Sequence, residues 1–264
     1  MARGLVTLAR LPLLASGLLA GPALRAAPRR YAAAATRRYA AGSSGSGPAA
    51  LEVLVPIADG SEEIETTCIT DTLVRAGASV TVASVTGELT CTMSRGIRIV
   101  ADKPIGECEG AEWAAVVLPG GMPGATHLRE SAALSRILAA QAARDGALVA
   151  AVCASPAVAL EPRGLLDGRD ATGYPAPQFV EAIGARYVPD VPFVRDGDLI
   201  TSRGPGTSLQ FALALVEALY GREKADELAA QMLVANRARA PRCWSPTSSR
   251  PRRRTGAKRR ALAR

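Results

Sequence analysis

At 264 residues, with 48% hydrophobic side chains and a net charge of +8, the chain has length for one or two buried cores. The charge is unevenly placed: no acidic residue precedes Glu52 or follows Glu227, seven arginines lie before residue 52, and eleven of the 32 basic residues lie from Arg237 onward. Fourteen basic residues are left against all 24 acidic ones, a net −10 for the middle, which excludes a phosphate-backbone partner for the central domain.

Residues 1–50 are rich in Ala, Arg and Leu and free of acid, the composition of an organellar transit peptide. Arg10, Pro12, Gly17, Gly21, Pro22 and Arg25 break its apolar stretches, which are too short to span a membrane. A secretory signal built on Leu11 to Ala23 is the rival, but arginines continue through Arg38. Arg30-Tyr31-Ala32 and Arg38-Tyr39-Ala40 resemble mitochondrial processing sites, while the alanine and serine content suits a chloroplast equally; the cytosol stays open as a second location. Gly42 to Pro48 reads as a flexible linker.

Residues 51–235 alternate. Leu51 to Ile57 is an apolar strand, followed by a helix over Ile64 to Ala76 with Ile64, Ile69, Leu73 and Val74 on one side and Gly77 as its stop. Ser79 to Val85 is β-branched and strand-like, Gly96 to Val100 a short strand, and Ala114 to Leu118 a buried one ending at Pro119-Gly120-Gly121. A helix over Ser131 to Arg144 precedes the continuously apolar strand Leu148 to Val152, which runs into Cys153, with Ser155 and Pro156 opening a helix behind it. Phe193-Val194 and Leu199-Ile200 flank an Asp196-Gly197 hairpin turn, and Thr207 to Tyr220 is a helix apolar on nearly every face. This order predicts an α/β fold with a mainly parallel sheet and helices on both faces. Ligands of such sheets bind at the carboxyl ends of the strands, where Cys153, Gly120, Gly121 and the loop Ala58 to Glu63 all fall. Residues 236–264 are basic, lack apolar periodicity and read as a disordered tail.

The chemistry centres on the strand-to-helix elbow at Cys153, where backbone N–H groups converge and a helix N-terminus favours thiolate. A small buried core cysteine is the plainer alternative. A nucleophilic cysteine needs a proton carrier, and the single histidine, His127, follows the PGG loop in GATHLRE. The loop DGSEEIE offers carboxylates instead: Glu62 and Glu63 read as charge complementing a helix start, whereas Glu65 falls near the buried side, where its protonated form is favoured and can donate to sulfur. If the strands ending at Gly120 and Cys153 are neighbours, the amides of Gly121 and Ala154 can hold a developing oxyanion; a plain tight turn is the other reading of the glycines. Arg203-Gly204-Pro205-Gly206-Thr207 is either an anion cradle or turn chemistry. Five cysteines without a C-x-x-C pair point to reduced thiols, and one histidine without a cysteine cluster argues against a metal site.

Taken together, LVPIADGSEEIET, VLPGGMPGA, AAVCASPA and LITSRGPGTSLQFALALVEALYG resemble the ThiJ/PfpI superfamily, in the branch of the human parkinsonism protein DJ-one and its plant relatives. The resemblance spans Leu51 to Val234. It implies a flavodoxin-like sandwich, a homodimer, Cys153 as the reactive cysteine, Glu65 as the carboxylic acid bonded to it, and Gly121 and Ala154, beside Gly120, as oxyanion-hole amides. Arg75 and Arg95 match arginines near the cleft and dimer contact. The implied activity is that of a glutathione-independent glyoxalase or protein deglycase acting on small dicarbonyls without cofactor; the alternative is a redox sensor or chaperone with an oxidisable Cys153. Two departures stand out. Tyr174-Pro175 replaces a histidine-proline of the cleft, and Ala154 replaces the histidine that follows the cysteine in protease-like members, which argues against peptidase activity. Plant relatives often carry two tandem domains; one is present here, with the basic tail where a second would begin.

Overall fold

The structure, a computed structural model, describes residues 50–234. The transit-peptide, linker and basic-tail readings therefore lie outside the described residues, except for Ala50.

Strand β1 (Glu52–Ile57) leads through a tight loop into α1 (Glu63–Ala76), then β2 (Ser79–Ser84), a hairpin of β3 (Thr90–Thr92) and β4 (Arg98–Val100), and the short β5 (Lys103–Pro104). Next come β6 (Ala115–Leu118), α2 (Gly124–Glu130), α3 (Ala132–Ala143) and β7 (Leu148–Val152). Helix α4 (Pro177–Ile183), the hairpin of β8 (Phe193–Asp196) and β9 (Leu199–Ser202), α5 (Ser208–Tyr220) and α6 (Arg222–Gln231) complete the fold. Seven strands form one sheet in the order β5-β2-β1-β6-β7-β9-β8, parallel throughout except for the antiparallel β8–β9 edge. Strands β3 and β4 pair only with each other.

Alternation along the buried strands divides the core in two. Val53, Val55, Ala115, Val117, Leu148 and Ala150 face Ile69 and Leu73 of α1, Phe211 and Leu215 of α5 and Leu228 of α6. Leu54, Val116, Leu118, Val149 and Ala151 face Leu128, Leu134 and Leu138 of α2 and α3. Both faces of the parallel sheet are covered, which is why these strands read as unbroken apolar runs.

Three expectations need correction. Ile64 and Val74 are 52% and 40% exposed. The buried residues of α1 are Glu63, Glu65, Thr66, Ile69, Thr72, Leu73 and Ala76; Ile64, five residues before Ile69, falls about 140° away from it around the helix. Behind Cys153 stands no α-helix but one short π-helical turn, Pro156–Leu160, passing into a 3-10 turn at Glu161–Arg163. Ser155 does not cap it; its hydroxyl donates to the Pro119 carbonyl at 2.5 Å and ties the two site loops together. The Gly96–Val100 strand exists as β4 but lies outside the main sheet.

Candidate active site

Three loops at the carboxyl ends of β1, β6 and β7 meet because they contain residues that let backbones touch. Cys153 itself has φ +63, a left-handed conformation uncommon for a side chain with a Cβ. Its amide donates to the Ser202 carbonyl at 3.0 Å and its carbonyl accepts from the Tyr174 amide at 2.8 Å, so backbone bonds on both sides hold the elbow. Gly120 must lack a side chain: a Cβ there would lie 2.5 Å from Cys153 Cβ and 2.8 Å from the Val152 carbonyl oxygen. Gly121 has φ +86, and a Cβ there would run into the Gly60 carbonyl oxygen and lie 2.6 Å from the Glu62 nitrogen.

Glu65, on the first turn of α1, is 0% exposed. The Glu62 carboxylate caps that turn by accepting from the Glu65 amide at 2.8 Å, which fixes where α1 starts. The Gly120 amide donates to Glu65 Oε2 at 2.7 Å. Oε1 is buried and meets no ordinary hydrogen-bond partner. Burial pushes the Glu65 carboxyl up to about 7; the Gly120 N–H pulls it back, the Glu62 charge adds to the rise, and the Cys153 thiol opposes it. Cys153 is pushed up to about 12, first by burial and then by the Glu65 charge, against the amides of Gly121 and Ala154, which donate toward sulfur.

The expectation that the elbow by itself favours thiolate is thus corrected. The π-turn supplies little dipole, and while Glu65 is ionised the sulfur keeps its proton. Thiolate requires the proton to sit on Glu65, which removes the repelling charge and leaves an acid to face the sulfur. The two groups are electrostatically coupled: the Glu65 charge raises Cys153, and the Cys153 thiol in turn lowers Glu65.

The other expected residues fall as follows. Gly121 and Ala154 direct their amides at the sulfur. The Gly120 amide is taken by Glu65, so Gly120 positions the acid instead of joining the oxyanion hole. Arg95 sits in the β3–β4 turn, its amide on the Glu63 carboxylate at 2.8 Å and its guanidinium near the Ser94 carbonyl. Arg75 is placed away from the cleft: ten residues after Glu65, about 15 Å along the helix axis, it is half-exposed and pairs with Asp71 at 2.7 Å. His127 lies on α2 and is not among the groups acting on Cys153, which are Glu65, Gly121 and Ala154. Thr207 ties down the loop after β9: its hydroxyl accepts from the Gly204 amide at 3.1 Å and lies 2.8 Å from Ser202 Oγ. Gly204, in the loop read from the sequence as an anion cradle or turn chemistry, lies two residues past β9, where an added Cβ would stand 4.0 Å from Glu65 Oε1.

Among the described residues no group of three or more His, Cys, Asp or Glu side chains is gathered as a metal site would need, and no helix is long and apolar enough to cross a membrane.

The model of the DJ-1/PfpI family matches residues 51–218. Protein DJ-1 homolog B of Arabidopsis thaliana is 46% identical over 183 residues, 69% of this chain and 41% of that protein. The chain thus spans less than half the length of this plant relative. The glutathione-independent glyoxalase DJR-1.2 of Caenorhabditis elegans is 35% identical over 184 residues, covering 69% of this chain and 95% of the relative. Among solved structures, oxidized DJ-1 of Toxoplasma gondii superposes with a TM-score of 0.68 at 46% identity, covering 70% of this chain and all of that one.

Proposed function

The chain belongs to the DJ-1/PfpI family, and from that premise and the paired Cys153 and Glu65 we propose a glutathione-independent glyoxalase that converts methylglyoxal to lactate and glyoxal to glycolate. The observation that carries the reading is the buried Glu65 carboxyl, raised to about 7, coupled to a cysteine whose sulfur receives two backbone amides. The glyoxalase name of the nematode relative supports it.

In the proposed reaction the Cys153 thiolate adds to the aldehyde carbon and Glu65 gives its proton to the new alkoxide, forming a hemithioacetal. Glu65, now carboxylate, takes the proton from C1 and returns it at C2 through an enediolate whose charge the Gly121 and Ala154 amides offset. The product is a lactyl thioester; water hydrolyses it, restoring the thiol and releasing lactate. The balance is one methylglyoxal and one water per lactate, with no external oxidant or reductant. Deglycation of adducts that the same aldehydes form on proteins would begin with the same attack. We also propose that residues 1–50 direct the chain to a chloroplast or mitochondrion, and that it works as a homodimer, for which the exposed Ile64, Ile97 and Val100 offer an apolar surface.

Purified protein incubated with methylglyoxal, without thiol or added metal, is expected to accumulate lactate. Absence of lactate, with selective conversion of Cys153 to the sulfinate under peroxide, would support the second reading, a redox sensor. That reading rests on the same site, because a protonated Glu65 can donate to a sulfinate, and a solved relative is an oxidized form.

A further inference from the structure

The loop Pro119-Gly120-Gly121 presents two consecutive peptide groups to the site, and each is held at both ends. In the first, the Pro119 carbonyl accepts from the Ser155 hydroxyl at 2.5 Å, while the Gly120 N–H of the same peptide donates to Glu65 Oε2 at 2.7 Å. In the second, the Gly120 carbonyl accepts from the Glu62 amide at 3.0 Å, while the Gly121 N–H donates toward the Cys153 sulfur. Ser155 is 0% exposed and Pro119 is buried, so bulk water does not compete for the bond between them. The reaction as described gives Ser155 no part, although it stands two residues after the nucleophile.

A Pro-Gly pair does not fix the peptide that joins it. Proline followed by glycine at the centre of a turn suits both type I and type II geometry, which differ by a flip of that peptide. Flipped, the Pro119–Gly120 peptide would turn its carbonyl oxygen toward Glu65, withdrawing a donor from the carboxylate and offering the protonated acid an acceptor. Ser155 opposes the flip by holding the carbonyl on the other side. Its O–H also polarises the peptide it binds, which strengthens the N–H donation at the far end. Both effects have one sign: they favour the Glu65 carboxylate over the acid.

We propose that Ser155 is a positioning residue of the site: through the Pro119–Gly120 peptide its hydroxyl keeps a donor on Glu65 and so sets how readily that acid gives up its proton beside Cys153. The proposal rests on Glu65 as the acid paired with Cys153, not on which substrate the pair meets. The titratable groups acting on Glu65 are Glu62, at the start of α1, and Cys153, at the end of β7. Ser155 carries no charge, so replacing it alters Glu65 without altering either of them.

The test follows the titration of the Glu65 carboxyl in the full chain by carbon-13 NMR of glutamate side chains, with Glu65 identified by the resonance lost in Glu65→Gln. Ser155→Ala and Ser155→Gly both lack the hydroxyl and are expected to raise the Glu65 midpoint by about half a pH unit, up to roughly two units if the whole charge-assisted bond is lost. Ser155→Thr keeps a hydroxyl and is expected to keep the original midpoint. The inflection in Cys153 alkylation by iodoacetamide should move up with the midpoint, and the Gly120 amide proton should shift upfield as its bond weakens. A Ser155 that serves packing alone would lower the melting temperature of Ser155→Ala and leave the midpoint in place, and that result overturns the proposal. A shift in Ser155→Thr as large as in Ser155→Ala overturns it too. If one hydroxyl-free variant does not fold, the other carries the test. The readout needs no turnover, so a chain that forms no lactate counts against the dicarbonyl reading and leaves this measurement decisive.

Discussion

A carboxyl at about 7 beside a thiol at about 12 means that one proton serves two groups over the physiological range. The singly protonated pair forms as pH rises through 7, and its minor tautomer, thiolate beside acid, is the reactive one. Alkylation of Cys153 by iodoacetamide is therefore predicted to rise with an inflection near pH 7; in Glu65→Gln that inflection should vanish and reactivity climb only toward alkaline pH. Stability carries the same signature with a definite sign. The folded chain binds the Glu65 proton more tightly than the ordinary carboxyl at 4.5, so this contribution is complete below 4.5 and lost as pH rises through about 7. Thermal melts should show Glu65→Gln more stable than the unsubstituted chain at pH 8, by up to about 3 kcal/mol, and the gain should disappear at pH 4.

Between elements, the site depends on glycine contacts and on one carboxylate outside the chemistry. Glu63 is buried, which raises its carboxyl, but its own amide, the Ser94 hydroxyl and the Arg95 amide more than offset this and hold it below the usual range. Those bonds fasten the β3–β4 turn to the start of α1. Glu63→Ala is predicted to cost about 1–3 kcal/mol and to speed amide hydrogen exchange in residues 90–100 more than in the main sheet. Much of this arrangement was legible in the sequence. The apolar runs of β1, β6 and β7 marked a doubly covered sheet, the Asp196-Gly197 hairpin marked its antiparallel edge, and α1 ends at Gly77, whose φ is +99. Helix α6 was not legible, because its buried stripe is only Ala225, Leu228 and Ala229 in a charged segment. Glu65 was singled out from a stripe that wrongly included Ile64; it is buried because it lies four residues before Ile69, on the same face of α1. The placement of Arg75 did not follow from a motif match, since a side chain's distance from the cleft depends on turns of helix that spacing alone does not register.

For the whole molecule, the −10 of the middle and the basic residues at either end are separate properties joined in one chain. The exposed apolar side chains Ile64 and Ile97 lie on α1 and next to β4, two segments joined through Glu63. Sedimentation is expected to show a dimer, and the pair Ile64→Glu and Ile97→Glu to shift it to monomer; a dimer unaffected by both would place the contact elsewhere. On the proposed reading, Cys153 and Glu65 act as one catalytic pair on small dicarbonyls. Its most direct test is the rate of lactate formation from methylglyoxal, without glutathione, in the unsubstituted chain, Cys153→Ala and Glu65→Gln. The predicted result is steady turnover in the first and a loss of about a hundredfold or more in each variant, with native melting curves; lactate formed by either variant at the unsubstituted rate would contradict it.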